Sequence, residues 1–211
     1  MEIILNRYNF FNIEKAVQVF YYIQKYSKTM SKLELIKYLF FADRIHLRKH
    51  FSLISLDNYV ALKYGPVATS SLDVLNKQTD YLSNFSEEEL KFLDCVQQTG
   101  QLEWEIKEVP NDLLSNNEMQ SIDKSINIFS GMCLSDISHD YPEWKRYKNL
   151  FDMKLISSRP IEMDDFFRNP DIGDSPAIQK YFGNADPLYE DEEYLNEAKK
   201  FYLQSIGKHD I

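Results

Sequence analysis

The sequence predicts a mainly α protein, a compact multi-helix domain carrying a small two- or three-stranded antiparallel sheet. Three observations carry that prediction. Amphipathic stretches that open on helix-capping residues recur at least six times. Only residues 59–67 and 102–109 have the β-branched, aromatic or alternating character of strands. Hydrophobic residues make up 44% of the 211-residue chain, ample for a true core.

The first helix begins at Asn12, an N-cap residue, and places Ile13, Ala16, Val17, Phe20 and Ile23 on one face. "SKLE" opens the second, because Ser31 and Glu34 have the spacing of a capping box, and that helix runs to about His50. The extended "DNYVALKYG" follows, with a turn at Pro66 and a helix from about Ser70 to Asn76. "SEEELKFLDCVQQ" predicts a helix from Ser86, with three acids at its positive end and Leu90, Leu93 and Val96 on its face. "LEWEIKEV" alternates as a half-buried strand does, and its natural partner is the extended segment near Tyr59. Two more helices start near Ser115 and Ser135, and "EDEEYLNEAKKFYLQSI" supplies a last one. Composition shifts after Arg159, where Pro160, Pro170, Pro176 and Pro187 cluster. The expected organisation is therefore a domain over residues 1–158 and an acidic extension over 159–211 whose final helix packs on it.

Charge is also unevenly spread. Residues 1–100 hold 12 Lys and Arg against 11 Asp and Glu, a net of +1, whereas residues 101–211 hold 12 against 22, a net of −10. A chain this acidic is poorly suited to coating nucleic acid, which requires cations on phosphates. The acidity serves either solubility or the steering of a basic protein partner. No apolar run approaches the ~20 residues needed to span a bilayer. The N-terminal "MEIILNRYNFF" lacks the pattern of a secretory signal, and Cys95 and Cys133 have neither metal-ligand nor disulfide-framework spacing, so a cytoplasmic protein is expected.

One polar residue stands out. At about 100° per residue, Leu33, Ile36, Leu39, Phe40 and Leu47 share a face of the second helix, with Asp43 in its middle and His46 and His50 on its flank. A buried carboxylate needs partners. Metal ligation by Asp43, His46 and His50 lacks further ligands, and acid–base chemistry by Asp43 with His46 or His139 lacks a nucleophile motif. The remaining reading is a polar core of Asp43, His46 and His139, with Asp43 tying down backbone amides, those of the Tyr64–Val67 turn being the nearest prospect. Neither a metal nor a cofactor is expected.

"KLELIKYLFFADRIHL" followed by "ISLDNYVALKYGPVATSSLDVL" resembles the two signature blocks of the Panacea domain, the SocA-like antitoxin domain, over residues 32–77. A weaker likeness continues in "LLSNNEMQSID" and "LSDISHDYPEWKRY", where Ser138 replaces the family's usual threonine while His139 and Trp144 stand; Phe51 and Leu56 occupy positions where the family usually has glycine. The resemblance implies an antitoxin that is encoded beside a toxin and neutralises it by direct binding, and it adds the role of an adaptor that delivers the toxin to a cellular protease. On this reading Tyr64, Gly65, Pro66, Val67, Thr69, Ser70 and Leu72 border the toxin-binding surface, with Tyr64 as aromatic anchor. The alternatives are a metal-independent hydrolase using Asp43, His46 and His139, and a DNA-binding repressor of its own operon. The oligomeric state is not legible.

Overall fold

A computed structural model describes residues 11–207 except 79, 81 and 83; the N-terminal segment read above for a secretory signal lies largely outside the described residues. Helix α2, Lys32–His50, is the axis of the molecule. Its capping box forms as the sequence predicts, Ser31 accepting from the Glu34 amide while the Glu34 side chain binds the Ser31 amide. Every residue from Leu35 to Arg48 is buried, so α2 is covered all round and not only along the stripe its periodicity marks. Leu33, assigned above to that stripe, is 43% exposed because the first turn projects beyond the elements that cover the rest. Helices α1, Ile13–Gln24, and α5, Asn116–Phe129, pack on α2, and both begin at the predicted caps, Asn12 and Ser115. Aromatic rings fill the core around Phe40 and Phe41, which meet Tyr59, Phe166, Phe129 and Tyr141.

The sheets pair differently from expectation. Strand β1, Tyr59–Leu62, forms a hairpin with β2, Gly65–Ala68, in the register Tyr59↔Ala68 to Leu62↔Gly65. A short strand in the C-terminal part, Ser158–Pro160, flanks β1 on its other side. The strand around Trp104 does not join this sheet; Trp104–Ile106 pairs with Val96–Gln98. That pairing also corrects the helix predicted from Ser86. The capping box at Ser86 forms, but helix α4 stops at Leu90, a 3-10 turn covers Lys91–Cys95, and β-branched Val96 enters a strand opposite Ile106. In chain order the strands after β2 are thus β3, Val96–Gln98, β4, Trp104–Ile106, and β5, Ser158–Pro160. Pro66 is likewise not the turn: residues 63 and 64 make it, and Pro66 lies within β2, an edge strand where a missing N–H is tolerated.

Helix α3, Thr69–Asn76, leaves β2 directly. The helix expected from Ser135 is two, α6 over Leu134–Asp140 and α7 over Pro142–Lys145, because Pro142 holds Tyr141 in an extended conformation (ψ 147°). After α8, Lys148–Asp152, the C-terminal part contains α9, Met163–Phe166, α10, Pro176–Phe182, and α11, Glu192–Ser205. Two arginines of α2 bind this part. Arg48 donates to the carbonyls of Phe166, Arg168 and Leu188, and Arg44, ion-paired with Glu143, donates to the Arg168 carbonyl. Both cysteines are free thiols.

Candidate functional site

Asp43 is fully buried, and its carboxylate gathers four donors from the 54–59 stretch. Oδ1 accepts from the amides of Ile54 and Ser55, and Oδ2 from the hydroxyls of Ser55 and Tyr59, the last at 2.7 Å. Burial pushes its pKa up to about 6, and the Ser55 and Tyr59 hydrogen bonds restrain the rise. The expected partner was the Tyr64–Val67 turn. The four donors come instead from residues 54, 55 and 59, and the turn's Tyr64 and Pro66 carbonyls accept from Ser135 and Lys37.

Asp57, two residues beyond Ser55, does the corresponding work for α3. Ala68 at the N-cap has no side-chain acceptor, and Asp57 reaches across to accept from the amides of Ser70 (3.1 Å) and Ser71 (2.7 Å). Ser55 links the two acids, since its Oγ donates to Asp43 and accepts from the Asp57 amide. Asp140 caps α10 in the same remote way, through the amides of Ala177 and Ile178.

The β1–β2 hairpin is held by side chains of three helices, each donating to an alternate carbonyl. Trp144 Nε1 binds Leu62 O at 2.7 Å, Ser135 Oγ binds Tyr64 O at 3.0 Å, and Lys37 Nζ binds Pro66 O at 2.7 Å. Gly65, at φ +104°, is required in this arrangement, because a Cβ there would lie 2.4 Å from both Lys37 Nζ and Ser138 Oγ. Lys37 is completely buried, and desolvation lowers its pKa well below the usual lysine value.

The residues singled out from sequence are placed as follows. Gly65, Pro66, Val67 and Ser70 are buried, Thr69 and Leu72 are half-buried, and Tyr64 is 61% exposed at the hairpin tip. His46 is buried, with Nδ1 2.9 Å from the Ser52 carbonyl and its ring against His50. His139 stacks on Trp144 with ring centroids 3.6 Å apart, and burial takes its pKa down to about 4. It lines an open cleft of about 600 Å³ beside Lys63, Asp136 and Tyr181, which neither Asp43 nor His46 borders. Asp43, His46 and His139 therefore have separate partners and share no cavity in which a substrate would meet them together. Among the described residues no group of three His, Cys, Asp or Glu side chains is placed to hold a metal, and no helix is long and apolar enough to cross a membrane.

Two exposed apolar residues on the chain leading to β5 escaped the sequence reading. Ser158 opposes Leu62, so the chain before β5 arrives where the hairpin turns, and on that approach Met153 and Leu155 are 68% and 67% exposed. They flank Lys154, which has φ +56°, and show no periodicity that would mark them. Lys37 gave no signal either, since a lysine on a helix is ordinarily solvated.

Residues 35–145, more than half of the chain, match the family described as antitoxin SocA-like, Panacea domain. No curated protein and no solved structure matches the chain. The matched stretch runs from the first turn of α2 through α7 and contains Lys37, Asp43, Asp57, the hairpin, His139 and Trp144. The buried acids that organise the hairpin region thus all lie inside the family's span, and the chain belongs to the SocA-like antitoxin family defined by the Panacea domain.

Proposed function

We propose that the protein is the antitoxin of a toxin–antitoxin pair, acting in the cytoplasm without enzymatic turnover, cofactor or metal, and that it neutralises its cognate toxin protein by direct binding through the tip of the β1–β2 hairpin. Family membership supports the toxin–antitoxin role. The observation that carries the binding surface is Tyr64, an exposed aromatic on a hairpin whose carbonyls are fixed by Trp144, Ser135 and Lys37. A surface ordered in advance loses little entropy on contact, and exposed aromatics are favoured anchors. Thr69 and Leu72 lie beyond the hairpin at the start of α3, and Met153 and Leu155 are further exposed apolar residues on the chain leading to β5. Delivery of the bound toxin to a protease rests on the family resemblance alone.

The test is co-expression with the product of the adjacent gene, followed by pull-down and growth rescue. Wild type is expected to bind and rescue, and Tyr64→Ala to lose rescue while melting at the wild-type temperature. A Tyr64→Ala protein that loses stability and rescue together would remove Tyr64 from the interface. Failure of wild type to bind the neighbouring gene product would overturn the antitoxin reading itself.

A further inference from the structure

A cavity of about 200 Å³ lies between α2, α5 and the stretch before α11, walled by Arg44, Arg48, Lys49, His50 and Lys124 against Glu190. The chain as a whole carries a net charge of −9, so four cationic side chains, Arg44, Arg48, Lys49 and Lys124, around one small cavity are a local inversion. Complementing the α2 dipole accounts for Arg48, Lys49 and His50 in the last turn. It does not account for Arg44 a turn earlier, or for Lys124, which comes from α5.

The protein answers this positive charge incompletely. Arg48 is 2% exposed and spends its N–H groups on neutral acceptors, the carbonyls of Phe166, Arg168 and Leu188 and the amide oxygen of Asn169. Among the described residues no carboxylate is ion-paired with it. Arg44 is fully buried and paired with Glu143, yet its Nε is buried without an acceptor. Burial lowers the Arg48 pKa to about 10, with Asp186 and Glu190 only partly offsetting it. Asp186 and Glu190 lie near enough to act on Arg48 but form no ion pair with it, and an oxyanion in the cavity would add both charge and acceptors where Lys49, Lys124 and the Arg44 Nε lack them. The neutral donors Asn117 and Gln120 on the α5 side suit the remaining oxygens. The volume also fits, since a water takes about 30 Å³ in the liquid and the cavity therefore has room for a tetrahedral oxyanion with some of its waters.

We propose that this cavity binds a phosphate group, either as orthophosphate or as the terminal group of a small phosphorylated metabolite, with the exposed Lys49 and Lys124 completing its coordination. A bound phosphate would bridge α2, α5 and the 188–190 stretch, and so stabilise the seating of the C-terminal part on α2.

The experiment is calorimetric titration of the full chain with orthophosphate and with glycerol 3-phosphate at constant ionic strength, sodium chloride serving as control. Saturable binding is expected, with a rise in melting temperature that chloride does not reproduce. Lys124→Glu is expected to weaken binding by at least about tenfold, the equivalent of one charge-assisted hydrogen bond, while leaving the melting temperature in chloride unchanged. Tighter binding of glycerol 3-phosphate would assign the site to a phosphorylated metabolite, and tighter binding of orthophosphate to the free ion. Absence of saturable binding by both probes, or equal affinity in wild type, Lys49→Glu and Lys124→Glu, would overturn the proposal.

Discussion

Lys37 Nζ, enclosed by protein on every side, donates to the carbonyl of Pro66 across 2.7 Å. An ammonium there is desolvated, and among the described residues it makes no ion pair, so the folded protein releases its proton more readily than the unfolded chain does. In the unfolded state a lysine stays charged up to about pH 10.4. Below that value, down to the depressed folded pKa, the unfolded state binds more protons. The Lys37 contribution to stability is therefore present at high pH and lost as pH falls through this window. The slope of urea-unfolding free energy against pH, measured between about pH 7 and pH 10 at fixed ionic strength, is expected to be less positive in Lys37→Met than in wild type. Equal slopes would show that Lys37 titrates alike in both states.

Replacing Asp43 by Ala orphans the amides of Ile54 and Ser55 and the hydroxyls of Ser55 and Tyr59. Each buried donor left without an acceptor costs roughly 1–3 kcal/mol. Partial rearrangement of the hydroxyls reduces the sum, so Asp43→Ala is expected to lose about 3 kcal/mol or more in chemical denaturation. An Asp43→Ala protein as stable as wild type that fails to neutralise would instead place Asp43 in the functional surface.

Gly65 and Tyr64 are neighbours with opposite expectations. Gly65→Ala forces a side chain into the left-handed region and against Lys37, which donates to the Pro66 carbonyl of the hairpin, and Ser138, which donates to the Ser135 carbonyl within α6, so neither moves without losing a hydrogen bond. A loss of about 2 kcal/mol or more is expected, visible as a lower melting temperature, whereas Tyr64→Ala should leave melting unaltered. A Gly65→Ala variant with wild-type melting would mean that the hairpin shifts at no cost.

Phe51 and Leu56 both have positive φ, 61° and 50°, a backbone conformation that favours glycine. Leu56 is 41% exposed, so Leu56→Gly is expected to relieve backbone strain with a gain of the order of 1 kcal/mol. Phe51 packs on Phe201 of α11 with ring centroids 5.1 Å apart. Phe51→Gly exchanges that contact for the same relief, and is expected to fall below Leu56→Gly in thermal stability. The reverse order would remove the Phe51–Phe201 contact from the account.

Four helix starts were legible in the amino-acid sequence. Asn12, Ser31, Ser86 and Ser115 all accept from the first turn of the helix they precede, because a cap is settled within three residues. The sequence also marked Asp43 as an acid in an apolar setting and residues 57–65 as extended, since side-chain periodicity is equally local. The rest depends on residues far apart in the chain. Strand pairing is one such matter: β1 chose β2 and residues 158–160 over Trp104, and Val96 left a helical pattern because Ile106 lay opposite it. Burial is another: Pro66 and Val67, together with Gly65, became inaccessible once α2 and α6 closed over the hairpin, which left Tyr64 outside. The donors of Asp43 lie eleven to sixteen residues away, and the carbonyls bound by Arg48 more than a hundred. No local pattern encodes such partners; they are selected by the cost of leaving a buried charge or a buried polar group unmatched.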